Sequence, residues 1–438
     1  MLAQDTATSG SSSVLRSAGP LSGHPSSTWL EARQLAFDCA VPLAPAELPL
    51  ALAAGHTLTR DVAALQELPH YASSAMDGWA INGGGPWILT PHEPFLLPGR
   101  ASVIATGGLI PVGAQSILRK ESGQVLRGAD GSLLLRLNDR AKEGEPGRGQ
   151  HIRPAGEEAA AGEVLIPAGT TLNPGHLALA AVAGHDNLQV QAKPVVGIVL
   201  TGSEVVTSGV PEPGQVRDTF GPQLGTVISL LGGTPGGSLR IGDSYPEWLA
   251  ALGGSDAFPG SMPDLTITTG GTGCSGTDHF RAAIAALGGQ LLVDGIAMRP
   301  GHPAVLAKLP DGRFVVGLPG NPLAAMMALI TVGGPLLEAL GGKPLSDVGQ
   351  VTSAADIDPC PGRTRLIPCT FIEGLAFPAS HTGPGMMRGL ACADGIMAVP
   401  PAGVQSGEPV PVLPLPWTQA NETIHTTTNR ARRTPWPA

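Results

Sequence analysis

Cysteine is scarce here, and its placement rules out two classes of chemistry. The five residues, Cys39, Cys274, Cys360, Cys369 and Cys392, include no C-x-x-C pair and are accompanied by no histidine cluster. Neither a zinc site nor a disulfide framework is therefore expected, and a reducing cytoplasm is the simplest compartment. Basic residues are also in deficit. With 26 Lys and Arg against 35 Asp and Glu and a pI near 5.6, the chain lacks the basic face of a nucleic-acid binder, so no DNA or RNA partner is expected. No positively charged start leads into an apolar h-region. The longest apolar stretch, Leu323 to Leu337, is too short for a bilayer and is interrupted by Gly333-Gly334-Pro335, which predicts a buried helix and no membrane partner.

What the chain has in quantity is punctuation. Its 61 Gly and 43 Pro divide regular aliphatic runs into many short elements, and its length predicts roughly three domains. Residues 1–26 and 418–438 read as polar, disordered tails. Thr28 and Glu31 have capping-box spacing, predicting a helix from Trp29. Pro45 to Ala53 predicts a second helical start. Residues 27–67 and 151–190 together make a discontinuous linker domain, interrupted by an inserted β domain over 68–150. Residues 191–343 alternate strand and helix, as in a doubly wound, mostly parallel α/β domain. Residues 344–417 return to short strands, a C-terminal β module.

The most informative stretch is Asp264 to Asp278. A β-branched run, Leu265-Thr266-Ile267-Thr268, enters a turn containing Gly270, Gly271, Thr272, Gly273 and Ser275, and a helical pattern follows from His279. Glycines let the backbone approach a ligand closely, and N–H groups at a helix start favour phosphate. Other strand ends in the same region carry Thr201-Gly202-Ser203-Glu204, Ile241-Gly242-Asp243, Arg299-Pro300-Gly301-His302-Pro303 and Leu318-Pro319-Gly320-Asn321-Pro322. The switch-point rule brings such ends to one cleft. Glu204, Asp243 and Asp278 are oxygen ligands of the kind that hold Mg²⁺ beside a phosphate, and Arg299 can neutralise an anion. Plainer roles exist for each: a helix cap for Asp278, solvated loops for Glu204 and Asp243, a rigid turn for Pro319 to Pro322, and an ordinary surface position for Arg299 and His302.

Taken in order, Ser74-Ala75-Met76-Asp77-Gly78-Trp79-Ala80, Thr201 to Glu204, Gly270-Gly271 with Asp278, Arg299 to Pro303 and Gly317 to Pro322 resemble the motifs of the molybdopterin molybdenumtransferases, the MoeA and gephyrin E-domain family. The resemblance spans about Ser27 to Trp417. It implies a linker domain, an inserted β domain, a molybdopterin-binding α/β domain and a C-terminal β-barrel. It further implies a cytoplasmic homodimer that inserts molybdate into adenylated molybdopterin with release of AMP, with Mg²⁺ as cofactor. In that family the Met-Asp-Gly loop of one subunit faces the α/β cleft of the other. Asp77 would then complete, with Glu204, Asp243 and Asp278, a catalytic set shared between subunits. Thr106 in the β domain would add a hydroxyl to substrate binding. Arg299, His302, Pro319, Gly320, Asn321 and Pro322 would bind substrate oxyanion.

The chain departs from the family pattern at Ser203, usually Asp; at Arg299 and His302, usually Lys; at Trp79, usually Tyr or Phe; and at Phe220, usually Asn. His302 matters most, because an imidazole with an ordinary pKa of about 6.5 is largely neutral where lysine is charged. The turn Gly270-Gly271-Thr272-Gly273 resembles that of the related molybdopterin adenylyltransferases, which share the α/β domain. An adenylyltransferase and a non-catalytic pterin-binding scaffold are therefore the alternatives. Tungstate, also a tetrahedral dianion, fits the same expectation as molybdate.

Overall fold

The computed structural model describes residues 27–254, 257–258, 262–273 and 278–418. Residues 1–26, Ser275 and residues 419–438 lie outside the described residues. The chain forms two compact units, Ala40–Pro194 with Glu338–Pro344, and Met1–Cys39 with Val195–Leu337 and Leu345–Ala438.

In the first unit, two antiparallel pairs join distant segments. Val62–Ala63 pairs with Val164–Ile166, and Pro45–Pro49 pairs with Asn187–Gln191. Leu58, Leu68, Ile166, Leu172 and Val190 fill the core between them. Pro45–Pro49 was expected to begin a helix. It is instead a strand, followed by a single 3₁₀ turn at Leu50–Leu52. Both prolines lack an N–H, which an edge strand with one partner tolerates. Between these pairs the chain builds a separate six-stranded sheet in the order Ser116–Arg119, Gly78–Ile81, Arg100–Ile104, Trp87–Thr90, Leu133–Leu137, Gly123–Arg127. Its core holds Ile81, Trp87, Leu118 and Leu135.

In the second unit, a six-stranded sheet runs in the order Thr234–Arg240, Val195–Leu200, Leu265–Thr269, Phe314–Leu318, Val305–Lys308, Gln290–Asp294. The first four strands are parallel and the fifth is antiparallel to its neighbours. Leu265–Thr269 is buried at every position, as expected of a central strand covered on both faces. Five strands, Gly349–Ser353, Thr364–Ile372, Leu375–Pro378, Gly395–Val399 and Pro409–Pro414, close into a C-terminal barrel. Val351, Ile367, Met397, Val399 and Val412 line its interior.

Two helices illustrate how the sequence sets local structure. Trp29–Asp38 starts on a reciprocal capping box: Glu31 N–H donates to Thr28 Oγ1 (3.3 Å) and Thr28 N–H to Glu31 Oε2 (2.8 Å). Pro322–Leu340 is long and apolar enough to cross a membrane but is 94% buried within the fold, so it is a core helix. It is longer than the apolar stretch suggested. Gly333-Gly334-Pro335 does not break it, because a π-type turn absorbs the proline, with Gly334 N–H bonded to Leu329 C=O. Thr331, fully buried there, accepts from Trp29 Nε1 (3.1 Å) and donates to Met327 C=O (2.7 Å).

Candidate functional site

The register of the α/β sheet brings four strand ends level. Leu200 pairs with Arg240 and with Thr269, and Thr269 pairs with Leu318. The segments that leave these ends are therefore neighbours, and backbone contact there is close. A Cβ on Gly270 (φ 76°) would come 2.7 Å from Thr201 Oγ1, and one on Gly320 would come 3.8 Å from Gly270 Cα. Gly270 N–H donates to Leu318 C=O (2.8 Å). Gly271 (φ 66°) has no room for a Cβ over the buried ring of Trp248. Both glycines are thus required by conformation and by contact. Thr272 is buried, with its methyl in the space left by the missing Cβ of Gly317. Pro319 is buried, while Gly320 and Asn321 are exposed at the start of the Pro322 helix.

The carboxylates stand at the same edge. Asp243 Oδ2 accepts from both the N–H (3.2 Å) and the Oγ (2.8 Å) of Ser203. The serine that departs from the family pattern is thus a donor to Asp243, where an aspartate would repel it. Asp278 lies against the glycine turn, so that a Cβ on Gly273 would come 2.8 Å from its Oδ2. The N-cap position of the next helix is His279, not Asp278. His279 Nε2 lies 3.2 Å from the Asp243 carbonyl oxygen. Glu204 is exposed in the loop after Thr201. Among the described residues no three carboxylate, histidine or cysteine side chains converge as a preformed metal cage. Mg²⁺ does not require one, since it commonly takes one or two carboxylates and completes its shell with phosphate and water.

Arg299 and His302 sit elsewhere than expected. The strand Ile296–Arg299 does not join the α/β sheet; it pairs with Ser27–Thr28 and with Thr364–Arg365 beside the barrel. Arg299 consequently lines a cavity of about 360 Å³ with Cys360, Arg365 and Thr382. His302 is not among the lining residues; its Nδ1 approaches Ile296 C=O at 3.2 Å. The second cation of this cavity, Arg365, carried no signal in the sequence. It is a lone arginine in a β run, and only the parallel pairing of Met298–Arg299 with Thr364–Arg365 brings it there. The same cavity borders the Pro322 helix, whose first N–H groups, from Leu323 and Ala324, bond to the Pro384 carbonyl.

In the other unit, the Met-Asp-Gly loop is built with similar economy. Ser74, fully buried, donates to Met76 C=O (2.6 Å). Lys120 N–H holds Asp77 C=O (3.0 Å). A Cβ on Gly78 would overlap the Leu118 carbonyl oxygen. Asp77 is exposed, and its Oδ1 accepts from the N–H (2.7 Å) and hydroxyl (2.8 Å) of Thr106. Those two bonds hold its carboxyl below the usual aspartate range. Thr106 and Asp77, 29 residues apart in sequence, thus form one unit that stays ionised at neutral pH.

Comparison with known proteins covers the same regions. Residues 28–184 match the MoeA N-terminal region (domain I and II), 197–339 a probable molybdopterin binding domain, and 350–415 the MoeA C-terminal region (domain IV). The chain is 31% identical over 326 residues to a molybdopterin molybdenumtransferase of Synechococcus elongatus, covering 70% of this chain and 78% of that protein. It is 29% identical over 387 residues to molybdopterin molybdenumtransferase 2 of Mycobacterium tuberculosis, covering 81% and 91%. Its fold resembles the molybdopterin biosynthesis MoeA protein of Pyrococcus horikoshii, with a TM-score of 0.68 at 23% identity over 89% of this chain and 98% of that one.

Proposed function

The chain belongs to the molybdopterin molybdenumtransferase family, enzymes of molybdenum cofactor biosynthesis, and from that premise we propose that it inserts molybdate into adenylated molybdopterin with release of AMP. The observation that carries this reading is the level set of strand ends where Gly270 and Gly271 meet Thr201 and Gly320, with Asp243 and Asp278 at the same edge. Such a turn accepts phosphate through backbone N–H groups.

Cleaving the anhydride to AMP requires an oriented attacking oxygen and neutralised phosphate charge. Mg²⁺, held by Asp243, Asp278 or Glu204 together with the phosphates, would supply that neutralisation. Asp77, kept ionised by Thr106, is suited to orient the attacking oxygen by accepting a hydrogen bond from it. In this reading it acts from a second copy of the chain, in a homodimer, on the α/β site of the first. Molybdate is a substrate, and a tetrahedral dianion needs cationic donors. Arg299 and Arg365 together, with Thr382 as a hydroxyl donor, suit it better than His302 does. In this reading the chain works in the cytoplasm, where glutathione and thioredoxin keep thiols such as the pterin's sulfurs reduced.

The test supplies purified protein with adenylated molybdopterin, Mg²⁺ and molybdate, and follows AMP release and molybdenum incorporation. Molybdate-dependent AMP release with incorporation supports the reading. Formation of adenylated molybdopterin from ATP and molybdopterin would make the chain an adenylyltransferase, and tight pterin binding with neither reaction would make it a scaffold.

A further inference from the structure

The glycine turn is held from behind by a residue that no motif includes. Arg281 Nη1 donates to Thr272 C=O (2.8 Å) and Gly273 C=O (2.9 Å). Its Nε and Nη2 both donate to Asp294 Oδ1 (2.8 and 2.6 Å). Asp294 ends the strand Gln290–Asp294 at the far edge of the sheet. We propose that Arg281 is a positioning residue, a strut that fixes the peptide planes of the phosphate-binding turn and is itself fixed by Asp294. This rests on the reading that the turn receives a phosphate of adenylated molybdopterin.

The argument is geometric. A peptide plane is rigid and trans, so a guanidinium that captures Thr272 C=O turns the Gly273 N–H the opposite way. An anion-binding turn needs that: carbonyls withdrawn, N–H groups presented. Glycine cannot hold such an orientation by its own preferences, because it populates both signs of φ about equally. Thr272 is fixed by burial and Gly271 by Trp248, and Arg281 Nη1 holds the Thr272 and Gly273 carbonyls together on the side away from the ligand. Only arginine offers donors in a planar fork able to serve two carbonyls on one side and a carboxylate on another. Lysine would keep the charge and lose the fork.

The test is equilibrium binding of adenylated molybdopterin to the full chain carrying Arg281→Ala, Arg281→Lys, Asp294→Ala or the Arg281→Ala/Asp294→Ala pair, with steady-state kinetics alongside. Each single change is expected to weaken binding about tenfold and raise KM by a similar factor, with kcat within about twofold. The double change should cost little more than either alone, because the two residues act through one strut. Molybdate binding, which a general loss of structure would alter, should stay near wild type. Full affinity in Arg281→Lys, or in Asp294→Ala while Arg281→Ala is weakened, would mean that Arg281 acts as a direct charge, and would overturn the strut alone. Absence of binding by the wild-type chain would overturn the functional reading and the strut together.

Discussion

Glu145 offers the sharpest quantitative prediction, because it anchors the end of the strand Ser116–Arg119, which pairs with the strand that follows the Asp77 loop. Its carboxylate accepts from Arg119 Nε (3.0 Å) and Nη2 (3.3 Å), from Ser122 Oγ (2.9 Å) and from Lys142 N–H (3.0 Å). Its side chain is 2% exposed. The Arg119 bonds, helped by Lys142 and Ser122, outweigh burial and lower its pKa from 4.5 to about 2. That displacement corresponds to about 3 kcal/mol favouring the folded state at neutral pH. Because the folded value is the depressed one, this stabilisation is complete above about pH 4.5 and fades as pH falls toward 2. Arg119 lies opposite Gly78 in the sheet, and Lys120, next in sequence, holds Asp77 C=O. The perturbation should therefore reach the loop.

Glu145→Gln removes the charge while keeping the shape. Hydrogen exchange over 116–127, corrected for intrinsic rates, should quicken by about a hundredfold at pH 7. The difference from wild type should shrink steadily below about pH 4.5, as the wild-type carboxylate takes up its proton. Exchange in the central α/β strand Leu265–Thr269 should not change. A wild-type-to-mutant difference that stays constant between pH 7 and pH 3 would refute the assignment of the stability to this ionised network.

Three further changes test particular contacts. Gly271→Ala must place a side chain at φ 66° against Trp248 and should destabilise the turn by about 2–4 kcal/mol; tryptophan emission and melting would read this, and an unshifted melt would refute the packing. Thr331→Val strands the Trp29 indole N–H in the core and should lower stability by about 1–3 kcal/mol, measured by denaturant titration, while an isosteric swap with no cost would refute it. Arg365→Ala should weaken molybdate binding by about tenfold or more in calorimetry, whereas His302→Ala should have little effect; the reverse order would remove the anion role from the Arg299 cavity.

Most of the fold could be read in the sequence, because its signals are local. The capping box at Thr28, the apolar central strand and the glycine turn each declare themselves within a few residues. Pro45 to Ala53 misled because a proline at a helix start and a proline on an edge strand look alike until the partner, Asn187–Gln191, is known. The strand Ile296–Arg299 misled for a similar reason. It lies between two strands of the α/β sheet in sequence, yet pairs with the barrel side, and that choice of partner is a tertiary matter. The site divides in the same way. The placement of Gly270, Gly271, Asp243 and Asp278 at one sheet edge was legible from strand ends and residue type. Arg281, Arg365 and the Asp77–Thr106 and Ser203–Asp243 pairs were not, because each depends on contacts between segments with no periodic relation.

The measurement that bears most directly on the proposed function is AMP release from adenylated molybdopterin in the presence and absence of molybdate, by the wild-type chain and by Asp77→Asn, which keeps the side chain's shape and its acceptor toward Thr106. The wild-type chain should release AMP only when molybdate is present and should take up molybdenum as it does so, and Asp77→Asn should bind the pterin with unchanged affinity yet turn over at least about a hundredfold more slowly. AMP release that ignores molybdate, or full turnover by Asp77→Asn, would contradict it.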